Sequence, residues 1–266
     1  MKDGWQIPKH EVLELEPKKT KYCLCIPVIN EGERIRGQLE RIKTEKIDQA
    51  ADIIICDGGS TDGSLSEAML RENGVSVLLT KRDLGKLSAQ LRMGYAYALE
   101  RGYEGVITVD GNGKDDVRGV LGFIEALDAG YEMIQGSRYI EGGQAINTPK
   151  LRHAAVKLIH IPIISLGAGF KYTDTTNGFR GYSARLLRDE RVQPFRDVFD
   201  TYELLAYLSV RAPRLGYKTL EVPVTRAYPE DGKVPTKISF LKGNWLLIKI
   251  LFGSLFGIYN PKVHHG

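Results

Sequence analysis

Short apolar runs recur along the first half of the chain, each stopped by a polar, glycine-bearing turn. Residues 22–27, 53–56, 75–79 and 106–109 read as strands, and residues 131–135 as a fifth. Helical periodicity runs from the Asn30-Glu31-Gly32 turn to about Lys46 and returns over residues 85–101. Strands alternating with helices at this spacing predict an α/β fold, with a mostly parallel central sheet covered by helices and ligands outside the carboxyl ends of the strands. Beyond Gly136 the alternation stops. A Gly-rich loop, an apolar stretch over residues 154–170 and the run Asp174-Thr175-Thr176-Asn177-Gly178-Phe179-Arg180 follow. A helix over residues 200–210, a strand over 217–224 and an apolar-rich segment over 238–258, interrupted by Lys242, Lys249 and glycines, complete the pattern. The chain divides accordingly into an N-terminal extension (1–20), a main domain (21–236) and a C-terminal helical segment (237–266).

With 266 residues, 42% hydrophobic and 26% charged, the chain buries a full core. A formal charge of +4 is too small to point to nucleic acid and suits phosphate-bearing substrates or an anionic membrane face. Cys23, Cys25 and Cys56 lie in strand-like runs, which favours buried reduced thiols over a disulfide or zinc site and implies a cytoplasmic setting. The first residues lack an apolar signal core, and no run reaches the roughly 18 apolar residues of a membrane span. A soluble or peripheral protein is expected.

Candidate chemistry gathers at the predicted strand ends. Asp57 and the small residues after it form a tight loop whose carboxylate and backbone N–H groups could hold a nucleotide base; a plain βα turn is the alternative. Asp110-Gly111-Asn112 ends another strand, where two acidic oxygens would hold a divalent cation against a diphosphate, but the second carboxylate is here an amide. A solvated loop capping the next helix, with Lys114, Asp115 and Asp116, is the alternative. Arg138, Arg152 and Arg180 lie among Gly, Ser, Asn or Thr and suit phosphate recognition, or else form ion pairs. Asp200 and Glu203 offer a carboxylate base, or a capping box in which Asp200 caps and Glu203 reaches back. Lys86, after Gly85, could meet a donor phosphate or simply start a helix.

Taken in order, these motifs resemble the family-two inverting glycosyltransferases, in particular the branch that includes dolichyl-phosphate mannosyltransferase and the polyprenyl-phosphate glycosyltransferases. Ile26-Pro27-Val28-Ile29-Asn30-Glu31 is similar to the family's Pro-x-x-Asn-Glu opening, and Asp57-Gly58-Gly59-Ser60-Thr61-Asp62-Gly63 to its base-binding loop. Gly85-Lys86, Asp110-Gly111-Asn112, Gly136-Ser137-Arg138-Tyr139, Asp174 through Arg180 and Gly216 through Pro223 follow in family order. The resemblance implies a GT-A nucleotide-binding fold over 21–236 and transfer of a sugar from a nucleotide-sugar donor. It places the donor on Pro27, Asn30, Glu31, Asp57, Gly59, Ser60, Lys86 and Asp110, and a Mg²⁺ or Mn²⁺ ion on Asp110 and Asn112. The acceptor phosphate falls to Arg138, Arg152 and Arg180, and the catalytic carboxylates are Asp110, Asp200 and Glu203. A phosphate acceptor is already anionic, so the enzyme's task becomes electrostatic: neutralising the departing diphosphate and aligning the acceptor oxygen.

Two departures stand out. Asn112 replaces the second metal-binding aspartate, which leaves Lys114 as a substitute charge, or Asp115 or Asp116 as an added oxygen. The membrane-spanning tail common in the branch is not seen. A non-catalytic nucleotide-sugar or lipid binder and a sugar nucleotidyltransferase are the competing readings, the latter weakened by the lack of an N-terminal Gly-rich, Arg-containing phosphate loop. In the C-terminal segment, Trp245, Phe252 and Phe256 among Lys242 and Lys249 suit peripheral docking at the inner face of a membrane. A core helix or a homo-oligomer interface is the alternative.

Overall fold

The computed structural model describes residues 4–229 and 240–262, with only the backbone of residues 240–244. Tyr22–Val28 (β2) and Asp52–Asp57 (β3) are buried at every position, as expected of parallel strands covered on both faces. Glu33–Thr44 (α1) connects them. Glu67–Glu72 (α2) leads to Val75–Lys81 (β4), and Leu87–Glu100 (α3) crosses back to Gly105–Thr108 (β5) on the other side of β2. Val120–Asp128 (α4) then reaches Met133–Ser137 (β6). The chain continues through Gln144–Ile146 (β7), Lys150–Ala155 (α5), Ile161–Ala168 (α6), Arg180–Ser183 (β8), Ala184–Arg188 (α7), Glu203–Arg214 (α8), Thr219–Pro223 (β9), Thr225–Ala227 (β10) and Phe240–Leu255 (α9).

Eight strands form one sheet in the order β1-β4-β3-β2-β5-β8-β6-β9, where β1 is His10–Glu14. Strands β2 to β5 are mutually parallel; β1 runs antiparallel at the edge, and β8 runs antiparallel between β5 and β6. The sheet is thus mostly parallel, as predicted. Within the N-terminal extension, β1 joins this sheet through backbone pairing with β4, a placement that its polar sequence does not announce. The second sheet is the parallel pair β7 and β10.

Side-chain alternation assigns each face its own core. Cys23, Cys25, Ile54 and Cys56 pack under α3 and α8, whereas Leu24, Ile26, Ile53 and Ile55 pack under α1, α2 and α4. All three cysteines are free and buried. The fifth strand starts at Met133 rather than 131 because Gly130 and Tyr131 donate back to Leu127 and Ala126 and wrap the end of α4. Gly216 and Tyr217 close α8 in the same way, so β9 starts at Thr219. The helix expected from 200 begins at Glu203, since the carbonyls of Asp200 and Thr201 accept from Lys86 and Ser88 at the start of α3.

Residues 150–168 are helical throughout, α5 and α6 being joined by a π-helical stretch, Val156–His160. Its C-terminal half shares a small core with α8 and α9, built from Ile164, Ala168, Tyr172, Val210 and Leu251. The proposed boundary between 236 and 237 lies outside the described residues.

Gly94 of α3 leaves room for the thiols beneath it: a Cβ there would clash with Cys56 Sγ and lie 3.3 Å from Cys25 Sγ. Gly94→Ala is expected to lower stability by about 1–3 kcal/mol in denaturant titration. Adding Cys56→Ala should recover part of that loss; strictly additive losses would show that the two positions do not press on each other.

Candidate active site

The strand order turns between β2 and β5. β2 continues to β3 on one side, whereas β5 continues toward β8 and β6 on the other, which makes their carboxyl ends the switch point at whose crevice such sheets bind ligands. Pro27 and Asp110 stand at its base, joined by Gly111 N–H donating to the Pro27 carbonyl at 3.3 Å.

On the donor side, the loops after β2 and β3 are stapled together. Asp57 is 4% exposed and accepts from Ser60 N at 2.9 Å and Ser60 Oγ at 2.6 Å. Asn30 N donates to Ser60 Oγ at 2.9 Å, and Asn30 Oδ1 accepts from Thr61 N at 2.7 Å. Asp62 accepts from Gly32 N at 3.0 Å. Asn30 has φ 48° and Gly59 φ 95°, and these left-handed turns let the loops fold toward each other. Gln90, buried on α3, locks the strand ends from below by donating to the carbonyls of Val28 (2.7 Å) and Cys56 (2.8 Å). Glu31 pairs with Arg34 at 2.7 Å. The structure therefore brings together Pro27, Asn30, Glu31, Asp57, Gly59 and Ser60.

Beyond the crevice lies a charge cluster centred on Arg226 of β10. Its guanidinium donates to Asp110 Oδ2 at 3.0 Å and to Asp115, which has no exposed side-chain surface. Asp115 Oδ1 has no partner, and burial pushes its carboxyl up to about 6 against the pull of Arg226. Lys114 Nζ lies 5.0 Å from the Tyr228 ring centre, with the guanidinium carbons of Arg152 at 5.7 Å and Arg226 at 5.9 Å from the same ring. Partial burial, then Arg226, lowers the Lys114 ammonium to about 8, so its charge is present below that pH and is lost as pH rises through it. The loop itself is clamped: Ala227 N donates to Lys114 O, Asp116 N to Thr225 O, and Gly113 N to Gln38 Oε1, each at 2.9 Å.

This arrangement does not fit the divalent cation expected on Asp110 and Asn112. A hard cation needs several anionic or carbonyl oxygens, yet Asp110 already serves Arg226, and Asn112 contributes an uncharged amide that lies against Asp110 Oδ2 and the Lys114 N–H. Among the described residues no three His, Cys, Asp or Glu side chains converge on a metal position. Asp115 lends no free oxygen to the crevice, since it is buried against Arg226, and Asp116 pairs with Arg118.

Two arginines expected to bind acceptor phosphate are turned inward. Arg138 is 3% exposed and bidentate to Asp174, with Nε to Oδ2 at 2.6 Å and Nη2 to Oδ1 at 3.0 Å, and it also reaches Thr176. Arg180 is 2% exposed and donates to Asn177 O, Thr175 O, Leu205 O and Ser209 Oγ. Both act as internal braces of the 174–180 loop, which Glu221 also supports by accepting from Thr173 N and Asp174 N. Arg152 remains exposed beside Tyr228.

Of the expected catalytic carboxylates at the start of α8, Glu203 is committed. It accepts from Thr201 N at 2.7 Å and from the Thr201 hydroxyl, but the helix is capped by Tyr202 without a side-chain bond, so the expected capping box with Asp200 does not form. Asp200 stands against Gly85, whose φ of 100° and lack of Cβ make room for its carboxylate. Lys86 is exposed, with Nζ 6.0 Å from the Tyr202 ring centre. Sequence reasoning missed Arg226, Tyr228, Gln90 and Glu221. An arginine between Thr225 and Ala227, directly after an apolar strand, was the one available signal for the first.

Residues 23–192 match the model of the family described as Glycosyl transferase family 2. An undecaprenyl-phosphate mannosyltransferase of Micrococcus luteus is 30% identical over 218 residues, covering 78% of this chain and 84% of that protein. A polyprenol monophosphomannose synthase of Mycolicibacterium smegmatis is 28% identical over 211 residues, covering 78% of this chain and 77% of its own. The fold is similar to that of glucosyl-3-phosphoglycerate synthase from Mycobacterium tuberculosis, solved with Mn²⁺, uridine diphosphate and glucosyl-3-phosphoglycerate. That likeness has a TM-score of 0.61 at 15% identity and covers 89% of this chain and 80% of that one. Mannosyl-3-phosphoglycerate synthase from Rubrobacter xylanophilus shares the fold at a TM-score of 0.59 and 11% identity, covering 88% of this chain and 72% of that one.

Arg138→Ala leaves Asp174 charged and buried without its cation, with only neutral bonds from Thr176, and is expected to cost about 3–5 kcal/mol in denaturant titration. Arg152→Ala should leave stability within about 0.5 kcal/mol, as an exposed residue does. Wild-type stability in Arg138→Ala would show that its guanidinium is free for a ligand after all.

Proposed function

Since this chain belongs to glycosyl transferase family 2 and is a nucleotide-sugar-dependent glycosyltransferase, we propose that its acceptor is a polyprenyl phosphate and that transfer inverts the anomeric carbon. The observation that carries the acceptor is the contact of Arg152 with Tyr228, because it joins the charge cluster to an open apolar surface. From Arg152 the helix over 150–168 exposes Leu151, Leu158, Ile159 and Leu166, and α9, packed against α6, exposes Trp245 and Phe252, with Phe256 just beyond its end. Exposed apolar side chains gathered on two packed helices suit contact with lipid or a partner. Lys249 Nζ lies 5.5 Å from the Trp245 ring centre, a pairing suited to the headgroup boundary. No helix among the described residues is long and apolar enough to cross a membrane, and the reading is one of docking upon it. The opposite face of α9, with Ile250 and Leu251 buried, packs internally, so the segment is part core and part open surface.

In this reading the loops around Pro27, Asn30, Glu31, Asp57, Gly59 and Ser60 hold the nucleoside, and Lys86 lies toward the donor phosphates. The acceptor phosphate oxygen, already anionic, forms its bond to the anomeric carbon as the bond to the diphosphate oxygen breaks, and that electron pair leaves with the nucleoside diphosphate. No proton is transferred, which relieves Asp200 and Glu203 of a base role and leaves them to position the Gly85 loop and the start of α8. Mn²⁺ in the glucosyl-3-phosphoglycerate synthase structure supports a divalent cation in this fold, whereas the residues around Asp110 here depart from such a site.

The test is a screen of nucleotide-sugar donors with a polyprenyl phosphate, read by mass detection of the glycosylated lipid. Asp57→Ala should stay folded and bind donor about 10- to 100-fold more weakly, as loss of a charged hydrogen bond predicts. Transfer only to an uncharged hydroxyl acceptor would overturn the phosphate reading. Sedimentation with anionic vesicles tests docking: the intact protein should pellet with lipid, and a protein that stays in solution, and unfolds when residues 245–258 are removed, would make the helix purely structural.

A further inference from the structure

The clamp around Arg226 holds positive charge against Asp110, just beyond the carboxyl end of β5. We propose that Lys114 and Arg226 together neutralise the departing nucleoside diphosphate, so that this glycosyltransferase turns over without a bound divalent cation. The inference rests on the donor being a nucleotide sugar, and it concerns how that donor's charge is met.

Four observations support it. Asn112 removes one of the two negative charges that would attract a cation, and Arg226 shares the remaining carboxylate, Asp110, at 3.0 Å. Any cation at Asp110 would face Arg226 and the nearby Lys114 ammonium, and like charges at such range oppose binding. Lys114, Arg152 and Arg226 surround one aromatic ring, with two carboxylates, Asp110 and Asp115, against Arg226, so these five side chains carry one net positive charge and suit an anion. The cations are also preorganised: the backbone bonds of Lys114 O and Thr225 O tie the two segments side by side, and Gln38 and Arg41 hold Gly113 from α1. Donors held in place before reaction stabilise developing charge without a reorganisation cost.

The chemistry balances without a metal. As the anomeric carbon exchanges the diphosphate oxygen for the acceptor oxygen, the electron pair that moves onto the diphosphate is met by the Lys114 ammonium, while the buried Arg226 guanidinium, bonded to Asp110 and Asp115, adds its charge from behind. Neither residue gives up a proton.

The experiment uses the full chain, freed of metal with chelator. Turnover in chelator should stay within about twofold of that with Mn²⁺, and electron paramagnetic resonance should show no Mn²⁺ bound, with or without uridine or guanosine diphosphate. Lys114→Gln should lose about 100-fold in kcat, the scale for removing one charge-stabilising donor. Asn112→Asp combined with Lys114→Gln should bind Mn²⁺ and regain activity only with it. Arg226→Gln is the harsher variant because it also strips Asp115 of its partner, so Lys114→Gln carries the test. Activity lost in chelator and restored by Mn²⁺ in the wild type, or full activity in Lys114→Gln, would overturn the proposal. Should no donor turn over, which would count against the transfer reading alone, calorimetry with the diphosphates still decides: affinity independent of Mn²⁺ and weakened in Lys114→Gln upholds it, and Mn²⁺-dependent affinity sinks it.

Discussion

The reactive end of this molecule depends on one constraint: two neighbouring parallel strands, β2 and β5, must send their chains to opposite sides. Parallel strands bury both faces and leave only their ends for polar chemistry, so the loops after Pro27 and Thr108 are where backbone N–H groups and carboxylates can meet a ligand. The buried Gln90 amide makes that exposure tolerable. It donates to the carbonyls of Val28 and Cys56 where the β2–β3 pairing ends, the first of which also accepts from Gly58 N, and so ties the two donor loops together.

Beside the donor loops, opposite charges are buried as pairs. Asp174 with Arg138 and Asp115 with Arg226 lie almost wholly out of water, and either partner alone would carry a heavy desolvation cost. The two pairs are linked electrostatically through Asp115, so the 174–180 loop and the β10 segment form one polar framework rather than separate surface loops. This explains why a stretch rich in Gly, Thr and Asn holds a defined shape. Its rigidity comes from arginines that act as struts, with their donors consumed by carbonyls and carboxylates of the chain itself.

Much of the fold was legible in the sequence because each element carries its own signal. The fully buried strands read as continuous apolar runs, and the turn residues after Val28 and Asp57 announced the loops. Strand ends shifted where helix closure by Gly130 and Gly216 took up residues that also look strand-like. The site was legible only in part. An arginine in a Gly- and Thr-rich run looks the same whether it awaits a phosphate or already holds a carboxylate, and what decides the matter for Arg138 is Asp174, 36 residues away. Arg226 meets Asp110 across 116 residues, a separation at which no local pattern forewarns of the partner. The family resemblance rested on ordered motifs and held, while the roles of single residues within them depended on packing.

The π-helical stretch Val156–His160 has a geometric meaning for the helix that carries Arg152. Each residue turns a regular α-helix by about 100°, and a wider turn absorbs an extra residue and resets the angular phase beyond it. The half bearing Arg152 can therefore face Tyr228 while the half bearing Ile164 and Ala168 keeps its inward bearing on α8. One helix points in two directions without a break, much as an offset shaft couples two gears whose teeth would otherwise not align.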